Sequence, residues 1–188
     1  MARVAGIVLA AGAGTRADGP KALRRDASGM PWLHRAVAAL RGGGCDPVLV
    51  VLGAEAGLAR ELVPPGTEIV VAENWADGLS ASLKAGLATV PDDADAAVLT
   101  LVDLHGLPAE AVARILAAPI GPATLRRATY AGRPGHPVLL GHDHWAAAAA
   151  AARGDRGAGR YLKAQGAELV ELSGLWDGED DDAPNAPA

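Results

Sequence analysis

Val4-Ala5-Gly6-Ile7-Val8-Leu9-Ala10, followed at once by Ala11-Gly12-Ala13-Gly14-Thr15-Arg16-Ala17-Asp18-Gly19-Pro20-Lys21, is the stretch on which the fold of this chain turns. Its first seven residues are apolar, rich in β-branched side chains and stopped by glycine, the pattern of a strand buried on both faces of a parallel sheet. Outward from it, similar runs recur at 47–52, 68–72 and 96–102, and segments with helical spacing fill the intervals at 32–40, 55–62, 79–90 and 109–117. Strand and helix alternating in this way predict an α/β sandwich around a mostly parallel sheet. After Pro119 the rhythm changes: 124–130, a turn at 131–135 and 136–140 read as a hairpin, so the sheet becomes mixed. A supporting helix over 144–153 with seven successive alanines, a short helix over 157–165 and a last strand over 168–172 complete the chain.

The 188 residues suit one domain, and no apolar stretch reaches the ~18 residues needed to cross a bilayer. Mean hydropathy is +0.16, which excludes disorder of the whole chain. The net charge of −5 comes from five acids in the last twelve residues, so 1–176 is neutral and carries no domain-wide basic footprint for nucleic acid. The expected organisation is a single domain over 1–176 followed by an acidic, partly disordered tail over 177–188. Cys45 is the only cysteine, which forbids an internal disulfide and suits a reducing cytoplasm. Met1 to Ala13 imitates a short signal peptide, but cleavage there would remove the first strand and its glycine loop.

Glycines leaving a first strand let backbone N–H groups converge on phosphate oxygens. As a Walker loop the match fails, because Pro20 precedes Lys21 and Ala22 follows it. Gly12, Gly14 and Ala17 formally satisfy a dinucleotide fingerprint, yet Asp18-Gly19-Pro20 forbids the helix that must open there. Two readings stay open on these residues alone. One is an ordered loop to about residue 30 that carries Arg16 and Lys21 over a triphosphate, with Pro31 starting the first helix; the other is a solvated loop with two ordinary cations.

Further along, LAAGAGTRADGPKAL over 9–23 resembles the signature loop of the nucleotidyltransferases that join a nucleotide to molybdopterin, the molybdenum cofactor cytidylyl- and guanylyltransferases. The segment 73–83 is similar to the family's N-x-W-x-x-G-x-x-x-S-L, Leu101-Val102-Asp103 to its strand-ending aspartate, 132–137 to its G-H-P turn and 154–158 to its G-D-x-G-A turn. The motifs stand in family order over residues 3–184.

The resemblance implies a three-layer α/β/α, Rossmann-like fold of the nucleotide-diphospho-sugar-transferase type, with the nucleotide across the carboxyl ends of the strands. It implies that Leu9, Ala10, Ala11, Gly12 and Gly14 hold the nucleotide, that Asn74, Gly78, Ser80 and Ser82 lie near ribose or base, and that Arg16, Lys21 and Asp103 carry catalysis. Ser80 would also cap the helix that follows. Gly135 and His136 would orient the second substrate. Mg²⁺ would sit on Asp103 and on Asp182, or Asp180, of a degraded D-x-D-T-P. The expected partners are an NTP, with CTP favoured over GTP because Ala11 gives the LAAG form, a phosphorylated acceptor such as molybdopterin, and a molybdenum hydroxylase. Two alternatives stand beside this reading: an NAD(P)H-dependent oxidoreductase on the same frame, and a non-catalytic chaperone for the molybdenum cofactor.

The chain departs from the pattern in several places. His105 replaces a proline, which is expected to alter the metal loop; Gly159 stands where an arginine follows Gly-Ala, with Arg160 one position late; Ala183 replaces threonine, and no final helix follows Pro184. His142 and His144, two residues apart on a helix, would not share a face and read as helix-start residues.

Overall fold

The computed structural model describes residues 2–15 and 19–180. Among these residues seven strands form one sheet, β1 (Val4–Ala10), β2 (Val48–Leu52), β3 (Glu68–Val71), β4 (Ala96–Leu101), β5 (Leu125–Tyr130), β6 (Arg133–Gly141) and β7 (Glu168–Glu171), in the order β3-β2-β1-β4-β6-β5-β7. Only β6 runs antiparallel to its neighbours. Every residue of β1 and β2 is buried, as continuous apolar runs require at the centre of a sheet covered on both faces, whereas the edge strand β3 is mostly half-buried and the edge strand β7 largely exposed.

Among the described residues six helices make the outer layers: α1 (Trp32–Gly42), α2 (Ala56–Arg60), α3 (Leu79–Thr89), α4 (Ala109–Leu116), α5 (Trp145–Ala151) and α6 (Gly159–Ala164). On one face Leu33, Val37 and Leu40 of α1, Ala59 of α2 and Ile115 of α4 pack against Val8, Val50 and Val98. On the other, Leu83 and Leu87 of α3, Trp145 and Ala148 of α5 and Leu162 of α6 pack against Ile7, Leu49 and Leu99. The result is the expected three-layer α/β/α sandwich. No helix among the described residues is long and apolar enough to cross a membrane.

The differences from the sequence reading have local causes. The turn of the hairpin is only Ala131-Gly132, both with positive φ (50° and 76°), so β6 starts at Arg133 and absorbs the residues expected to turn. The alanine helix begins later than expected because His142–His144 forms a 3₁₀ turn; there His144 bonds Tyr161 Oη and the Ala123 carbonyl, and His142 packs edge-on against Trp145. The expected boundary at 176 does not mark the end of packing. Trp176 lies against Gly106 and Tyr130, Gly178 packs on the Tyr130 ring, and Arg133 pairs with Glu179 at 2.6 Å.

Topology also creates the site. From β1 the chain steps outward through β2 to β3 and then returns across to β4, so the loops leaving the carboxyl ends of adjacent β1 and β4 diverge and open a crevice between them. The crevice wall depends on close backbone approach at Gly53, just beyond β2. A Cβ there would fall 2.5 Å from the Trp75 Cβ and 2.7 Å from the Ala11 carbonyl oxygen. Gly53→Ala is therefore expected to destabilise the protein by ~1–3 kcal/mol, as overpacking does, with a lower urea midpoint and an unchanged m-value.

Candidate active site

Beyond β1 the backbone of residues 11–15 is irregular, and Gly14 takes φ +61°, where a Cβ would overlap the Gly19 carbonyl. The Gly19 N–H closes back on the Gly14 carbonyl at 3.4 Å. Lys21 then opens a single 3₁₀ turn, Lys21–Leu23, and its ammonium donates to Asp103 Oδ2 at 2.9 Å. Asp103 stands just past the end of β4, as the sequence indicated. Only 19 % and 15 % of the two side chains are exposed, so the pair is substantially removed from water.

A stack of aromatic and cationic groups holds the two loops in place. Arg24, three residues after Lys21, is buried with its guanidinium 5.3 Å from the centroid of Trp32. His105, two residues after Asp103, stacks on the same indole at 4.4 Å and an interplanar angle of 8°. Trp32, at the start of α1, is thus a common anchor for the loop carrying the cation and the loop carrying the carboxylate, and the replacement of proline by His105 supplies that contact. Asp26 braces the intervening turn by accepting from Ser28, Met30 and Arg35, and these bonds hold its carboxyl well below the usual range.

Between the loops lies a cleft of about 410 Å³. Among the residues singled out from sequence, Leu9, Ala10, Ala11, Gly12, Gly14, Lys21, Gly78, Ser82 and Asp103 line it. Asn74 and Ser80 do not; they line a separate hollow beside α3. Two residues along a helix is about 200° of rotation, so Ser80 and Ser82 cannot share a face. Nor does the Ser80 hydroxyl cap α3: that position belongs to Gly78, without a side-chain bond, and it is the Ser80 backbone N–H that bonds the Gly154 carbonyl at 2.8 Å. Gly135 and His136 lie outside both hollows, on β6. Arg16 and Asp182 fall outside the described residues. Asp180 is exposed, on the stretch that follows Trp176, which packs against the Asp103 loop at Gly106.

Trp75 and Asp155 also line the cleft; sequence reasoning does not single them out, although both stand inside quoted motifs. Asp155 comes from the turn before α6, with its carboxylate against Gly78.

Asp103 Oδ1 is buried without a hydrogen-bond partner, beside an Oδ2 already bonded to Lys21. A buried carboxylate oxygen left in this state suits a hard cation. The described residues contain no cluster of three or more His, Cys, Asp or Glu side chains for a metal. One carboxylate supplemented by substrate phosphates is the usual way Mg²⁺ is held, so the donor set fits that ion.

Residues 6–169 match the MobA-like NTP transferase domain. Nicotine blue oxidoreductase of Paenarthrobacter nicotinovorans is 34 % identical over 191 residues, covering 95 % of this chain and 92 % of that protein. Rv0371c of Mycobacterium tuberculosis, solved in complex with manganese, superposes with a TM-score of 0.73 at 29 % identity, covering 90 % of this chain and 87 % of that one. A nucleotidyl transferase from Methanothermobacter gives 0.78 at 23 % identity over 91 % and 88 %, a likeness of fold alone.

His136 has an altered acidity: burial first, and then the nearby Arg127 charge, push its imidazole down to about 4. The unfolded histidine binds its proton near pH 6.5, so between about 6.5 and 4 the unfolded state holds more protons and stability falls with falling pH. NMR should show His136 titrating near 4, and His136→Gln should flatten the stability slope between pH 6.5 and 4.

Proposed function

We propose, from the premise that this chain belongs to the MobA-like NTP transferase domain family, that it is a nucleotidyltransferase that joins CMP from CTP to molybdopterin or a similar phosphorylated acceptor and releases pyrophosphate. The observation that carries the reading is the Lys21–Asp103 pair at the mouth of a glycine-lined cleft, next to the orphaned Asp103 Oδ1. A lone surface cation would have neither the burial nor the facing carboxylate.

An acceptor phosphate oxygen forms the new bond to the α-phosphorus while the bond from that phosphorus to the oxygen bridging to the β-phosphate breaks. The electron pair leaves with pyrophosphate. A phosphate monoester, with a second pKa of ~6, is largely ionised at neutral pH, so no strong protein base is needed. What the chain must provide is position and cancellation of charge. Residues 11–15 line the space assigned to the phosphates, where their backbone N–H groups would serve as donors, and Lys21 swings from Asp103 to the departing β- and γ-phosphates. Arg16, from the same loop, is assigned to the same charge. Asp103, with Asp182 or Asp180, would hold Mg²⁺, which when bound draws charge from the phosphate oxygens and makes the α-phosphorus more electrophilic. The manganese in the Rv0371c complex supports a divalent ion in this fold. Ser82, Gly78 and Trp75, which also line the cleft, are assigned to ribose and base, and Ala11, in the LAAG form, to a preference for cytosine.

A second reading, reduction by NAD(P)H, has the identity to nicotine blue oxidoreductase in its favour. Against it, the first described helical turn after Gly14 is the short Lys21–Leu23 and the first α-helix begins at Trp32. The N-terminus that would receive a dinucleotide pyrophosphate is therefore far along the chain from the glycines.

Purified protein with Mg²⁺, CTP and molybdopterin should release pyrophosphate, and EDTA should stop it. Lys21→Ala and Asp103→Asn should each lower turnover by ~10²–10³-fold while leaving the unfolding midpoint within a few degrees. Release of pyrophosphate at the wild-type rate by either variant would overturn its role, and thermal protection by NADPH with none by Mg·CTP would favour the reductase.

A further inference from the structure

The turn that carries Asp103 is held at two successive residues by two indoles. His105 lies flat on Trp32, with ring centroids 4.4 Å apart and planes 8° from parallel. At the next residue, Gly106, a Cβ would fall 3.2 Å from Trp176 Nε1, and Trp176 is itself set edge-on against Tyr130 at 5.5 Å. Leu104 and Leu107, on either side of this pair, are buried. Backbone bonds from the Leu104 N–H to the Leu101 carbonyl at 3.2 Å and from the Leu107 N–H to the Leu104 carbonyl at 3.0 Å close the turn.

These restraints matter because a mobile aspartate would not keep the orientation that Asp103 has. Its Oδ2 accepts from the Lys21 ammonium, while Oδ1 is buried with no hydrogen-bond partner among the described residues. An ammonium carries three donors, and a buried acceptor left unbonded costs free energy, so a free carboxylate would turn until both oxygens met Lys21 or water. Something in the turn prevents it.

Trp32 is built to be the fixed side of that restraint. It is the first residue of α1, and its backbone N–H donates to the Arg24 carbonyl at 3.0 Å. Its indole N–H is buried with no acceptor among the described residues, which works against stability, whereas the flat face of the ring is what His105 uses. Where the resembled pattern has a proline, which fixes φ through its own ring, this chain has a side chain fixed by contact. A contact restraint ties the carboxylate turn to the loop that carries Lys21, so the two walls of the cleft keep one spacing.

Resting on the reading of Asp103 as a ligand of a divalent cation, we propose that His105 is a positioning residue: stacked on Trp32, it holds the turn so that Asp103 Oδ1 stays unbonded to Lys21 and available to the cation.

Mn²⁺ is the probe, titrated into the full chain alone and with CTP and followed by water-proton relaxation, with CTP binding in EDTA measured by calorimetry. His105→Ala should weaken Mn²⁺ by about tenfold, as loss of a group that orients a metal ligand does, and leave CTP affinity in EDTA within about twofold. His105→Phe, which keeps a flat ring on Trp32, should restore most of the Mn²⁺ affinity. Trp32→Leu should weaken Mn²⁺ at least as much, and the double variant should be no worse than Trp32→Leu alone, since both changes remove one contact. In metal-free protein, hydrogen exchange at the Leu104 and Leu107 amides should quicken in His105→Ala and not in His105→Phe. A merely structural histidine would lower the unfolding midpoint and weaken Mn²⁺ and CTP together; that result, failure of Phe to rescue, or additive losses in the double variant would overturn the positioning role. Equal Mn²⁺ affinity in wild type and His105→Ala would remove that role and leave the cation reading standing. If wild type binds no Mn²⁺ with or without CTP, the cation reading falls and the role of His105 falls with it.

Discussion

The site depends on an opposite-charge pair held 2.9 Å apart where β1 and β4 diverge. Neither partner could be placed by its own loop. Lys21 lies eleven residues beyond the end of β1 and Asp103 two beyond β4, so neither is held by its strand. What makes the juxtaposition reproducible is that both loops close on one buried indole, Trp32, through Arg24 on one side and His105 on the other. Below them, β1 and β4 run in parallel register from Val4↔Ala96 to Leu9↔Leu101 between two apolar layers, so the strand ends cannot drift. The polar site is loose in secondary structure and rigid in its anchoring, which is what electrostatic preorganisation requires.

How far the sequence could be read depends on where the physics is local. The central strands were legible nearly to the residue, because burial on both faces demands an unbroken apolar run and glycine ends it. The hairpin was legible as a hairpin but not in its length: whether Arg133 to Gly135 turn or extend depends on Ala131-Gly132 completing a two-residue turn by themselves. The line of Leu9 to Gly14, Lys21, Gly78, Ser82 and Asp103 around one cleft was visible because these residues sit in contiguous motifs. Ser80 and Asn74 went astray because a motif gives membership of a segment, whereas helical rotation decides which face each residue presents.

Membership of the NTP transferase family and similarity to an oxidoreductase are compatible at the level of fold, since one frame can host different chemistry. The distinction lies in the segment beyond Gly14. A reductase of the dinucleotide-binding type needs a helix to begin at the glycines, with its N–H groups on a pyrophosphate. Here the first helical turn described after the glycines is a short 3₁₀ turn that opens with a lysine on a carboxylate and is followed by a buried arginine on an indole. Such a loop suits a phosphate chain that must be held at several points and then released in part.

The bonding of Asp103 also bears on how the cleft responds when it fills. Its Oδ2 accepts from Lys21 while its Oδ1 is buried without a hydrogen-bond partner, so the carboxylate is only half satisfied. A buried acceptor in that state favours the arrival of a further positive group, whereas an anion entering the glycine-lined cleft competes with the carboxylate for the ammonium. The two effects reinforce each other: a cation taken up by the carboxylate weakens its hold on Lys21, and a lysine drawn toward an anion leaves Oδ2 open to the cation. One ion pair at the mouth of the cleft therefore couples the binding of opposite charges.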